Sequence, residues 1–235
     1  FLTLDRAYSA LAQGQIDGVV ESRVRLQQVS VQQPDTIRIL DEPLQIEPHA
    51  IAVLRQDVSM RNLVNRTLQY LTQTGRMDEI YQVYFPGSPY NLTPPWRNLG
   101  EDAPTPAQFS TEIGFPQRYI VPQIQTERVV RVAGIFGVTA DSDAPESERR
   151  LDTFHRILLN EMAARWGVSV EFIPNSGGNA VGLVAGGQAD IAVGVEADWA
   201  RVDAVDFTAQ YLLHGERLMV MVDGDINNFD GLGGR

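Results

Sequence analysis

The chain has 235 residues, 43% hydrophobic and 21% charged, enough to bury a core in one large domain or two lobes and too apolar for a disordered chain. A net charge of −11 argues against nucleic-acid binding, which needs clustered cations, and against docking on anionic lipid. There is no cysteine and all 19 basic residues are arginine, so disulfides, thiol nucleophiles, Cys-ligated zinc and lysine Schiff-base or P-loop chemistry are excluded.

Phe1-Leu2-Thr3 opens the chain with neither Met nor a signal peptide, which reads as a piece of a longer protein. Ala7, Leu11 and Ala12 then predict a helix over 5–13, closed by Gly14. Short apolar runs at 16–21, 37–40 and 50–54 follow as strands. Ser59 is placed to cap a helix whose Met60, Leu63, Val64, Leu68 and Leu71 share one face and which Gly75 closes. A short helix carries Met77, Ile80, Tyr81 and Tyr84. Eight of the thirteen prolines lie between Pro86 and Pro122, in a stretch with neither helical nor alternating period, which marks a linker over roughly 87–127.

Beyond it, strands at 130–132, 168–173, 191–195 and 218–222 alternate with helices over 150–166 and 179–186. The alternation predicts an α/β fold with a mostly parallel sheet covered on both faces. No run approaches the about 18 consecutive apolar residues of a membrane span. One pattern occurs twice: LAQGQIDGVV (11–20) is echoed by VAGGQADIAV (184–193). It marks either two similar lobes or ordinary helix–glycine–strand punctuation. His49, His155 and His214 lack metal-ligand spacing and are expected to be structural.

Several runs, in order within each half, resemble the periplasmic solute-binding proteins of amino-acid ABC transporters, solute-binding protein family 3. In the second half these are TFHRILLNEMAARWGVSVEFI, AGGQADIAVGV, Arg201, DFTAQY (206–211) and RLMVMV, which resemble the family's first lobe. In the first half GQIDGVVESRVR, EPHAIAVL and TGRMDEIYQVYF resemble its second lobe. The resemblance covers nearly everything outside 87–127, with the family's two halves in reverse order. It implies a periplasmic-binding-protein-like type II fold: two βα lobes joined by a hinge, the second lobe short of about one βα unit (~25–30 residues). Residues 1–86 would be the C-terminal part of a solute-binding module, 87–127 a Pro-rich linker, and 128–235 the N-terminal lobe of a module with the start of its second lobe. Two explanations fit, a window on a tandem protein or a circular permutant, and the Pro-rich linker and the start without Met favour the tandem window. If the stretches fold together, 55–86 and 128–212 complete one lobe, 1–50 and 213–235 supply most of the other, and strands near 49–54 and 217–222 form the hinge.

The resemblance also implies the site. Arg201 falls where the family forks the ligand's α-carboxylate, a task that suits a planar, permanently charged guanidinium; the alternative is a surface pair with Asp203 or Asp206. Glu196 and Asp198 stand where the family has small hydroxyl residues. They imply either an intramolecular ion pair with Arg201 or a cationic or polar ligand. Ser22 replaces the acidic residue that takes the ligand's ammonium, with Glu21 one position away on the opposite strand face. Gly194 and Phe136 complete the candidate contacts; Phe136 stands in for a stacking aromatic or belongs to the core.

The expected function is therefore extracytoplasmic binding of a small polar, amino-acid-like solute for an ABC permease. The expected chain is monomeric, periplasmic or extracellular and membrane-associated, without cofactor, metal, nucleic acid or catalytic activity. Alternatives are the ligand-sensing domain of a receptor, a degenerate module that no longer binds, and a dehydratase-like enzyme with Glu196 as its acid.

Overall fold

A computed structural model describes residues 4–30, 32–44, 47–85, 90, 115–134, 146–174 and 179–233. The chain forms two compact units, Phe1–Glu47 with His214–Arg235, and Pro48–Leu213. The chain thus passes from one to the other at 47/48 and at 213/214. These passes lie just ahead of the strands expected to act as hinge, which are built into the sheets themselves. Among the described residues no helix is long and apolar enough to cross a membrane.

The first unit begins with helix α1 (Leu4–Ala12), which buries Ala7, Ala10 and Leu11 on one face. It ends where Gly14 takes φ +67°, and the amides of Gly14 and Gln15 donate to the carbonyls of Leu11 and Ala10. Strand β1 (Val19–Ser22), helix α2 (Arg23–Ser30) and strand β2 (Ile37–Pro43) follow. Helix α2 was not expected, because RVRLQQVS offers little apolar period and its fully buried anchor is Leu26. The unit's three-stranded sheet is completed by β9 (Glu216–Met221), antiparallel to both β1 and β2 and lying between them. Side chains alternate across β9, so Met219 joins Val19, Ile37 and the helices on one face. Leu218 and Val220 pack with Leu40 and Ile226 on the other, against Phe229 and Leu232 of the closing segment.

The second unit contains a six-stranded sheet in the order β5-β4-β6-β3-β7, with β8 (Leu212–His214) on β3. Strands β4 (Val129–Gly134), β5 (Ser169–Pro174) and β6 (Ile191–Glu196) are parallel. The expectation of a mostly parallel sheet needs correction. Strand β3 (Glu47–Leu54) runs antiparallel to its neighbours β6 and β7 (Val205–Phe207), and the three-stranded sheet of the first unit has only antiparallel pairs. In both sheets a strand from a distant part of the chain has been inserted into a parallel pair: β9 between β1 and β2, β3 between β6 and β7.

The sequence repeat coincides with this arrangement. Each copy ends a helix and leads into the strand on one side of the insertion. Gly187, like Gly14, has positive φ (+76°), and the amides of Gly187 and Gln188 donate to Val184 and Leu183, the equivalents of Leu11 and Ala10. In the second copy Asp190 then joins β6 to β4: its amide donates to the Arg131 carbonyl and its Oδ2 accepts from the Arg131 amide, both at 2.8 Å. Burial holds this carboxyl above its ordinary range, against the lowering effect of the Arg131 amide, Arg118 and the Arg131 guanidinium.

Helices from both halves of the chain cover the sheet. Helix α3 (Val58–Gln73) is capped by Asp57 rather than by Ser59. Asp57 is fully buried; its Oδ1 accepts from the Met60 amide at 3.0 Å and its Oδ2 from the Ile120 amide at 2.8 Å. One carboxylate therefore satisfies orphan donors at the start of two helices, α3 and α5 (Ile120–Glu127). Helix α5 occupies the last eight residues of the Pro-rich segment and buries Ile120 and Ile124. Helix α4 (Arg76–Tyr84) lies against α6 (Glu146–Trp166), with Tyr81 edge-on to Phe154 at 6.3 Å and Arg76 3.3 Å from Glu161. The Trp166 indole N–H donates to Thr67 of α3 at 2.9 Å. Helix α7 (Ala180–Ala185) packs on an alanine-rich core that includes Ala50, Ala52, Ala133 and Ala192.

Asp57→Ala strips both helix starts of their acceptor inside the core. It should cost about 3 kcal/mol of stability in urea unfolding, with Asp57→Asn losing less; an unchanged midpoint would refute this role.

Candidate functional site

In open α/β sheets ligands bind beyond the carboxyl ends of the parallel strands. In the second unit that edge is formed by Gly134 of β4, Pro174 of β5 and Glu196 of β6, with His49 near the start of antiparallel β3 in register opposite Glu196. Four candidate residues fall at or just beyond the end of β6: Gly194, Glu196, Asp198 and Arg201. Ser22 belongs to the first unit. Phe136 lies outside the described residues.

Arg201 closes a 3-10 turn over Trp199–Arg201. Asp198 builds that turn, its Oδ1 accepting from the Ala200 amide at 2.9 Å and its carbonyl from the Arg201 amide at 3.1 Å. The Arg201 side chain is exposed, and its guanidinium has no hydrogen bond or ion pair among the described residues. The surface pair with Asp203 or Asp206 is thus not formed. Asp203 lies 3.5 Å from Arg55, and Asp206 accepts from the Gln56 amide at 3.0 Å and lies 3.4 Å from Arg61. Nor does Glu196 or Asp198 occupy the Arg201 fork. Exposed pairs of this kind contribute little stability, but here they engage the carboxylates that would otherwise compete for Arg201.

Gly194 has φ +68°, and a Cβ there would stand 2.9 Å from Cε1 of His155. Its amide donates to the phenol oxygen of Tyr211 at 2.9 Å, so Gly194 faces an internal partner. Tyr211 is fully buried, and burial pushes its phenol pKa up. The same oxygen lies 2.9 Å from His155 Nε2, and the rings of His49 and His155 are 6.2 Å apart. Sequence reading missed this cluster because the members come from β3, β6, α6 and the segment after β7. The available signal was a lone glycine inside a buried strand, which marks close approach of another group.

Ser22 is half-buried at the end of β1. Its amide donates to Glu21 Oε1 at 2.9 Å, while Glu21 Oε2 accepts from Arg25 at 2.6 Å. Glu21 therefore folds back on its own backbone and on Arg25. Among the described residues no group of three or more acidic or histidine side chains is arranged to hold a metal.

Gly194→Ala would force a left-handed backbone on alanine and press its methyl on His155. A loss of about 3 kcal/mol in urea unfolding is expected, and a variant as stable as wild type would show that the contact is not a constraint.

No protein-family model and no curated protein matches the chain. Solved structures with a related chain path are substrate-binding proteins of ABC transporters. AppA of Clostridium difficile, assigned to peptide binding, is 10% identical with a TM-score of 0.48, over 95% of this chain and 55% of its own. An ABC transporter substrate-binding protein of Listeria monocytogenes is 12% identical with a TM-score of 0.46, over 94% and 54%. A phosphate-binding protein of a phosphate ABC transporter from Streptococcus pneumoniae is 11% identical with a TM-score of 0.39, over 77% and 55%. The chain spans about half the length of these structures. At such scores and identities the likeness carries no ligand across to this chain. Its own architecture, α/β with a six-stranded sheet in one unit and a three-stranded sheet in the other, agrees with the expected fold class and its shorter second lobe.

Proposed function

We propose that this chain captures a small polar, amino-acid-like solute outside the cytoplasm and delivers it to an ABC-type permease. It acts by binding rather than catalysis, as a monomer. The observation that carries the reading is Arg201. A permanently charged, bidentate donor stands exposed beside the carboxyl edge of a parallel sheet, without a partner among the described residues, while the aspartates after it are held by Arg55 and Arg61. The ordered motifs of both halves support it.

Within this reading, residues 1–86 are the C-terminal part of a solute-binding module, 87–127 its Pro-rich connection, and 128–235 an N-terminal lobe with the start of a second. Pairing of β3 with both β6 and β7 favours a circularly permuted arrangement, since both halves then serve one sheet. A second reading, a degenerate module, is favoured by a specific observation: the amides of Gly194 and Ser22 are both engaged by internal acceptors.

The two readings separate in a thermal-shift screen of amino acids, polyamines, sugars and small carboxylates. A solute at 100 times its Kd should stabilise the chain by about 2.7 kcal/mol, whereas a cooperative melt that no solute moves would leave the degenerate module standing. For a carboxylate hit, Arg201→Ala should weaken calorimetric affinity by about 10- to 100-fold with stability unchanged. Unaltered affinity would remove Arg201 from the site.

A further inference from the structure

A buried carboxylate with one unmet oxygen stands at the start of β6. Asp190 is 1% exposed, and its Oδ2 accepts from the Arg131 amide at 2.8 Å. Its Oδ1 is buried as well and has no hydrogen bond; it faces Arg118, whose Nη2 lies 3.6 Å away. Arg118 belongs to the end of the Pro-rich segment, just ahead of α5, and its guanidinium rests on the second glycine turn. Nη1 donates to the Gly187 carbonyl at 3.1 Å and Nη2 to the Ala189 carbonyl at 2.9 Å. In the first copy of the repeat the equivalent aspartate, Asp17, is exposed, so the glycine turn itself does not require a buried carboxylate.

The two arginines beside Asp190 depend on it unequally. Arg131 lies 3.7 Å from its Oδ2 but also pairs with Glu127 at 2.7 Å and Glu171 at 3.5 Å. Among the described residues Arg118 has no carboxylate other than Asp190. Its Nε is buried without a hydrogen bond, so two neutral carbonyls and the Asp190 charge are all that offset the water it has given up. Neutralising Asp190 removes the one counter-charge of a part-buried guanidinium whose side chain is already 31% exposed, and solvent then competes for it. Ile120, two residues on, is held separately by Asp57, so α5 keeps its place when Arg118 leaves.

The charged groups around Asp190 are Arg118 ahead of α5, Glu127 on α5 and Arg131 on β4; Glu171 of β5 reaches it through Arg131. Helix α7, packed on the same strands, carries none. Burial is the largest influence on the Asp190 carboxyl and raises its pKa, Glu127 adds to this, and Arg118 and Arg131 oppose it. Because Arg118 favours the ionised form, its departure raises the pKa further, so protonation of Asp190 and release of Arg118 favour each other. The hold on Arg118 is present above the pKa of the carboxyl and is lost as pH falls through it.

We propose that Arg118 and Asp190 form an acid-released tether: ionised, Asp190 holds the end of the Pro-rich segment on the turn that opens β6; protonated, it frees residues 115–119 while α5 stays docked. The inference goes beyond solute binding, and its test uses no ligand, so each fails separately.

The test is NMR of the isotope-labelled 235-residue chain over roughly pH 3 to 7. The Asp190 carboxyl carbon should titrate above 3.8, the ordinary aspartate value, and the Arg118 Nε resonance should follow that titration. Asp190→Asn keeps an oxygen for the Arg131 amide but carries no charge. At about pH 8 trypsin should cut the Arg118–Tyr119 bond of this variant about 10-fold faster than that of the wild type, because the protease must take up a freed guanidinium. Cleavage after Arg165 of α6, read by mass spectrometry in the same digest, should be unchanged and so report that the variant is folded. An ordinary Asp190 pKa, an Arg118 resonance indifferent to Asp190 titration, or equal cleavage after Arg118 in the folded variant would overturn the proposal, and the wild-type spectra decide this even if Asp190→Asn fails to fold.

Discussion

Insertion of β3 between β6 and β7 is the constraint on which the second unit rests. Ala50, Ile51, Ala52 and Val53 are fully buried, a strand covered on both faces by other parts of the chain. Its polar groups are met from the segment after β7: Ile51 exchanges bonds with Thr208, its amide donating to the hydroxyl and its carbonyl accepting from the amide, and the His49 carbonyl accepts from Tyr211. A buried strand cannot leave such groups unmet. Because β3 enters from the far side of the Pro-rich segment, the helices that follow it are carried onto α6 and α5. The contacts of Thr67 with Trp166, Tyr81 with Phe154 and Asp57 with Ile120 all follow from that placement. Loss of β3 would take Ala50 and Ala52 out of the alanine-rich core that also holds Ala180 and Val184 of α7.

The same insertion shapes the candidate edge. An antiparallel neighbour brings its amino-terminal end to the carboxyl end of β6, which is why His49 stands opposite Glu196. Two different uses of charge meet there. Arg55 and Arg61 hold Asp203 and Asp206 at the surface, where each pair is weak. Arg201 is left open to solvent. Behind the edge, the Tyr211 phenol meets the Gly194 amide and His155 in a buried setting, where geometry is more tightly specified and an unmatched group costs more.

Much of the fold was legible in local pattern. The glycines of the two repeats ended helices with the same pair of backbone bonds, and strands 191–195 and 218–222 appeared within a residue or two of their predicted limits. What failed did so for local reasons. Helix α2 has too few apolar residues to show a period, and α5 sits among prolines that mask it. Ser59 looked like a cap, but Asp57 offers two oxygens to two helices, a relation between residues 63 apart that no local window contains. At the site, the spacing of Arg201 from DFTAQY was visible, but its lack of a side-chain partner among the described residues was not.

The sequence by itself determined the α/β class, most helices and strands, the repeated glycine turn, and the residue types available for binding. These follow from periodicity and backbone preference, which act over a few residues. Only the tertiary structure decided that a distant strand enters each sheet antiparallel, that Gly194 faces Tyr211, and that Asp203 and Asp206 take other arginines and leave Arg201 open. Those outcomes depend on which groups meet after the chain has crossed itself, and hydrogen-bond and charge pairing then go to the nearest buried or exposed partner whatever its place in the sequence.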